Sequence, residues 1–157
     1  MDKVIVTGLL VIGSVTAAVL VIITITPTIA GTSQSIMESS REASNRISTN
    51  IEVIAVATDP AGTRIDAWIK NIGVASITAI SKSDVFVVTP GTRFDYIIYA
   101  PSGDNTWIET PVGTPWNRGD TLHIAITLPT TNPLGVGNHV LKVATANGVH
   151  AERTFNR

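Results

Sequence analysis

The sequence predicts an α+β chain, a long N-terminal hydrophobic helix followed by an immunoglobulin-like antiparallel β-sandwich. Three observations predict it. From Val4 to Ala30, 27 consecutive residues carry no charge. Residues 31–49 turn polar and Ser-rich but keep a helical apolar spacing. From Asn50 to Arg157 the pattern changes to short period-2 segments separated by Gly, Pro, Asn and Asp. The expected division is 1–49, a hydrophobic helix with a polar neck, and 50–157, a β domain.

The apolar run comes first. At a rise of about 1.5 Å per residue, a helix of this length covers ~40 Å, more than the ~30 Å hydrocarbon core of a bilayer. β-Branched residues are indifferent helix formers in water, but a medium without water forces the backbone to satisfy itself, and a helix does so alone. The run is apolar on every face, so no side of it expects solvent. A secretory signal peptide is the alternative; its apolar region is usually about 7–15 residues and its start more basic than the single Lys3 here. Within the run, Gly13 and Ala17 are four apart, as are Ser14 and Ala18, and Gly8 lies one and a half turns before Gly13. Small residues at this spacing let helix backbones approach closely. Gly8, Gly13, Ser14, Ala17 and Ala18 are therefore the candidate packing residues for a helix surrounded by copies of itself.

Pro27 is expected to kink or interrupt the helix. Beyond it, Ile29, Ile36 and Ala43 recur at seven, with Ile47 four further on, among Ser, Glu and Arg. This thin stripe predicts a partly solvated helical neck, with a flexible Ser-rich linker as the alternative. Glu42 and Arg46 are a favourable i,i+4 pair; Glu38 and Glu42 are an unfavourable one.

Strands are predicted at Glu52–Ala57, Arg64–Asn71, Ala75–Ser81, Asp84–Val88, Phe94–Tyr99, Thr106–Thr110, Asp120–Leu128, Asn138–Thr145 and Gly148–Phe155. The clearest alternation is Leu122, Ile124, Ile126 and Leu128 against Thr121, His123, Ala125 and Thr127. Turn signals include Asp59-Pro60-Ala61-Gly62, Pro90-Gly91, Pro111-Val112-Gly113 and Asn117-Arg118-Gly119. Asn147-Gly148 has the chemistry of a type I′ hairpin turn. Trp68, Phe86, Phe94, Tyr96 and Tyr99 are expected in the core; Trp107 and Trp116 flank a Pro/Gly-rich loop and are read as core anchors or surface contacts.

Composition excludes several classes of function. With 11 basic and 12 acidic residues in 157, the chain has no basic footprint for nucleic acid. With no cysteine it has no thiolate chemistry, disulfide or Cys-ligated metal. No phosphate-cradling Gly-rich loop and no nucleophile elbow occur. Ser102-Gly103-Asp104-Asn105 resembles part of a calcium loop but lacks enough oxygen ligands, and reads as an ordinary loop. His123, His139 and His150 lie on separate strands and are expected to be solvated on polar faces. The chain reads as no enzyme, with no cofactor and no metal.

The order of parts, with Ile51-Glu52-Val53-Ile54 and Ala67-Trp68-Ile69-Lys70-Asn71-Ile72-Gly73, resembles the archaeal flagellin (archaellin) superfamily. Lys82-Ser83-Asp84-Val85-Phe86-Val87, Trp116-Asn117-Arg118-Gly119-Asp120-Thr121-Leu122 and Ala146-Asn147-Gly148-Val149 resemble in particular its FlaG/FlaF-type archaellum proteins. The resemblance implies a subunit of an archaellum, a type IV pilus-like motility filament, inserted in the membrane before assembly and extracellular after it. Its implied partners are further copies of itself and the archaellum motor and platform proteins. The alternative it implies is a membrane-anchored stator whose sandwich binds the cell-surface layer or a partner; an adhesive pilus is a third reading. Three departures from the family pattern stand out. Ile5 occupies the position where pilins carry Glu, if Met1 is the first mature residue, no Gly-preceded processing site comes before the apolar run, and no N-glycosylation sequon is present.

Overall fold

The computed structural model describes residues 2–111 and 115–157, and for 25–33 the backbone alone. Its first element, α1 (Asp2–Ser48), is a single helix of 47 residues, about 70 Å long at 1.5 Å per residue. Asp2 in the first turn and Arg46 in the last complement the helix dipole. The helix continues through Pro27 instead of stopping there. One missing N–H leaves the bonds of the neighbouring turns in place, and the apolar residues before it offer their backbone no other partner. The neck is helical as expected, with Ile36, Met37 and Ile47 exposed; the side chain of Ile29 lies outside the described residues. By compactness the chain divides into two units, Met1–Glu42 and Ala43–Arg157, so the last turn of α1 belongs with the β domain.

Eight strands follow: β1 (Ile51–Thr58), β2 (Arg64–Asn71), β3 (Asp84–Thr89), β4 (Arg93–Tyr99), β5 (Thr106–Thr110), β6 (Thr121–Thr127), β7 (Asn138–Ala144) and β8 (His150–Asn156). Their order around the domain is β1-β2-β6-β5-β4-β3-β7-β8, a sandwich of two four-stranded layers joined along β5 and β4. Period-2 alternation puts Ile65, Ala67 and Ile69 of β2 and Leu122, Ile124 and Ile126 of β6 on one inner face. Val85 and Val87 of β3 and Leu141 and Val143 of β7 meet them from the other layer. Along the remaining edge Arg153 of β8 donates from Nη1 to the Val53 carbonyl of β1 at 3.0 Å. Trp107 and Trp116 are both buried, as core anchors.

Four local expectations are corrected. Ala75–Ser81 is not a strand: it makes a single bridge, Ile77 to Trp116, and ends in a 3-10 turn at Ile80–Lys82. Ile77 and Ile80 are both buried, and a spacing of three cannot keep two side chains on one face of a strand. The sandwich is not wholly antiparallel, because β4 and β5 pair in parallel through Ile98–Thr106 and Tyr99–Trp107. These strands belong to different layers and touch only at the corner where the chain crosses between them, through a loop with positive φ at Gly103 and Asn105. The Asn147-Gly148 hairpin forms, but only Gly148 has positive φ. With Gly148 N–H on the Thr145 carbonyl and Thr145 N–H on that of Val149, it is a three-residue loop rather than a type I′ turn. Phe94 and Tyr96 face solvent, because Ile97 takes the inward position of β4. Of the Pro111-Val112-Gly113 signal, Val112 and Gly113 lie outside the described residues.

Candidate assembly site

His139 corrects the expectation of solvated histidines: it is buried, with Nδ1 2.7 Å from the Thr89 hydroxyl and Nε2 2.9 Å from the Gly135 carbonyl. Both ring nitrogens are occupied, so it holds a loop to β3. His123 lies on an outer face, stacked on Trp68 and 2.9 Å from Asp66. Among the described residues, no three His, Asp or Glu side chains converge as a metal site. Glu109, buried on β5, accepts the Tyr99 hydroxyl at 3.1 Å. Burial first, and this hydrogen bond second, push the Tyr99 phenol above its ordinary pKa, so it stays a donor.

The described apolar part of α1 is exposed along its length. Asp2–Thr24 is long and apolar enough, by length and composition, to cross a membrane. Thirteen Val, Ile and Leu side chains between Val4 and Ile23 are exposed. Burying each one stabilises by about 1.5–3 kcal/mol, so this surface in water is costly on the scale of a whole domain's stability. The polar side chains within it are turned back on the helix itself. Thr7 donates to the Lys3 carbonyl at 2.8 Å, Ser14 to Val11 at 2.9 Å, Thr16 to Ile12 at 2.8 Å and Thr24 to Leu20 at 2.9 Å. Hydroxyls satisfied this way can enter lipid or a protein interior without an orphaned donor.

Two notches separate the candidate glycines. Gly13 and Ala17, like Ser14 and Ala18, lie about 40° apart around the helix. Gly13 and Ser14 form a notch with Val6, Leu9 and Leu10. Gly8 is about 140° around the helix from Gly13 and forms a separate notch with Val4, Thr7, Val11 and Ile12. A Cβ added at Gly8 or Gly13 would meet nothing within 4 Å. Neither glycine is needed by the fold of the single chain.

The other end of the helix is built into the sandwich. The Ser48 carbonyl accepts from Val74 and Ala75 N–H at 2.8 and 3.0 Å, and the Asn50 carbonyl from Ile72 and Gly73 at 2.9 Å each. Gly73 passes so close that a Cβ there would lie 2.4 Å from the Asn50 nitrogen and 2.6 Å from the Ser48 oxygen. Asn71, fully buried at an inward position of β2, organises this turn. Its Nδ2 donates to the Ala75 and Trp116 carbonyls at 2.9 and 3.0 Å, and its Oδ1 accepts the Gly73 N–H at 3.0 Å. From the β7–β8 hairpin, Asn147 donates to the Thr49 hydroxyl at 2.7 Å, while that hydroxyl donates to the Asn45 carbonyl. The one trace of this clamp in the sequence is Asn71 itself, an amide in phase with Ile65, Ala67 and Ile69.

Residues 3–155 match the family model for archaeal-type flagellin. An uncharacterized protein of Archaeoglobus fulgidus is 28% identical over 98% of each chain. The archaeal flagellum of Methanospirillum hungatei strain JF1 is similar in structure, with a TM-score of 0.73 and 14% identity over 96% of this chain and 90% of the other. The archaellum periplasmic stator protein FlaG from Sulfolobus acidocaldarius has a TM-score of 0.58 and 20% identity, over 68% of this chain and 99% of its own.

Proposed function

Since the chain belongs to the archaeal-type flagellin family, we propose that it is the repeating subunit of an archaellum filament, assembling through α1. The observation that carries this reading is a helix exposed on all sides from Val4 to Ile23, its hydroxyls satisfied internally and its small residues open to close approach. Such a helix is stable in a membrane or among its own kind. In assembly, contacts with sister helices replace contacts with lipid, and the Gly13–Ala18 side supplies the close approach that dispersion needs. The sandwiches then form the outer layer. The clamp of Ser48, Asn71, Gly73 and Asn147 ties each sandwich to the last turn of its helix. The filament subunit needs no catalytic group; its work is to transmit load.

Likeness to the flagellum of M. hungatei over 96% of the chain, helix included, supports the subunit reading. Likeness of the sandwich to FlaG supports a second one, in which α1 tethers a stator and the sandwich holds a partner. The two differ in copy number. Shearing surface fibres from cells and identifying their principal polypeptide by mass spectrometry tests them. The subunit reading expects this chain as the major component; fibres without it, with a few copies retained in the membrane, support the stator instead.

A further inference from the structure

The sandwich also carries an apolar surface that its own core does not use. On β4 the usual phase is inverted: Phe94, Tyr96 and Ile98 point outward, with exposures of 69, 51 and 56%, while Arg93 and Asp95 pair on the opposite side. Phe86, directly across from Tyr96 on β3, packs against both rings at 5.3 Å. The Tyr96 hydroxyl donates to Asp84 at 3.0 Å, so the ring face, not its polar tip, is what the surface offers. Phe94, Tyr96 and Ile98 are thus three exposed apolar side chains on one sheet face, the kind of patch that marks an interaction surface.

Three further exposed apolar residues lie on different elements of the same unit. Ile47, Ile72 and Val74 are 85, 45 and 64% exposed, around the point where the helix enters the sandwich. One chain therefore has both halves of an apolar contact, and two unlike patches joined head to tail generate an open polymer, not a closed dimer. Charge favours the same occupant. The aromatic face is flanked by Asp84 on β3 and by Lys142 and Glu152 on β7 and β8, a mixed rim with no preference for an anionic lipid surface. The net charge of −1 also opposes packing of like copies very little.

We propose that the outer β3–β4 face is a docking surface for a second copy of this chain, seated on that copy's Ile47–Ile72–Val74 corner. This rests on the filament reading and adds a sandwich-to-sandwich contact to the helix contacts. The test places a photo-crosslinking p-benzoylphenylalanine in the full-length chain, in separate variants at Phe94 and at Leu10 of the helix, and irradiates cells and sheared fibres. The expected result is a product of twice the chain's mass from Phe94, its adduct mapping to residues 47 or 71–75. Crosslinking between copies from Leu10, but from Phe94 only to a different protein, to the same sheet face of another copy, or to nothing, overturns the docking surface and leaves the filament reading standing. No crosslinking between copies from either position overturns both.

Discussion

The Asn147 carboxamide donates to the Thr49 hydroxyl at 2.7 Å, joining a hairpin loop to the residue that follows α1 although 98 positions separate them. Thr49 passes the bond on to the Asn45 carbonyl in the last turn of the helix. The end of the helix is thus held by side-chain bonds as well as by the backbone bonds at Ser48 and Asn50.

Asn147→Ala removes the donor to Thr49 and is expected to cost about 0.5–1.5 kcal/mol. Chemical denaturation followed by tryptophan fluorescence measures it, since Trp107 and Trp116 are both buried in the same unit.

Gly73→Ala is expected to be more severe, about 1–3 kcal/mol, because the new methyl group would overlap the backbone at Asn50 and Ser48. Gly135→Ala provides the contrast. Nothing lies within 4 Å of a Cβ there and its φ is not in the left-handed region, so its effect is expected within about 0.5 kcal/mol. Similar losses from both variants would contradict the close approach at the helix junction.

Asp66 gives the domain an acid-sensitive element. Burial pushes its carboxyl up, but hydrogen bonds from Arg64 and His123, with their charges, hold it below the ordinary value on balance. A carboxylate with a lowered folded pKa contributes stability that is present above its unfolded value and lost as the pH falls through the folded one, here below about pH 4. Asp66→Asn is expected to flatten the acid limb of the stability profile. An unaltered acid limb would show that the Arg64–Asp66–His123 group contributes no differential stability.

Gly13→Leu is expected to leave the unfolding transition of the sandwich where it is, because nothing in the single chain surrounds that position. The same change is expected to abolish fibres or reduce them severely, as counted by electron microscopy. Gly8→Leu tests the separate notch; equal effects would mean that neighbours pack on both sides of the helix.

Much of this architecture was legible because hydrophobic period reports on the local environment. The uncharged run from Val4 marked the helix, and the Leu122–Leu128 alternation marked a strand. Less legible was anything decided by contacts distant in sequence. Phe94 and Tyr96 read as core residues because aromatics usually are; only the register of β4, with Ile97 inward, turns them out. Ala75–Ser81 alternates well enough for a strand, but Asn71 takes the Ala75 carbonyl for the helix junction. The small residues of the helix were legible as a motif. That Gly8 and Gly13 open onto two different notches is not obvious from their spacing along the chain.

The central claim is that residues 4–24 of each copy end up enclosed by the same residues of others. Electron cryo-microscopy with helical reconstruction of native fibres tests it most directly. The account predicts fibres built of this chain with its helices at the axis, packed about 8–10 Å apart. Fibres that lack this chain, together with detergent-extracted chains that remain single, would contradict it.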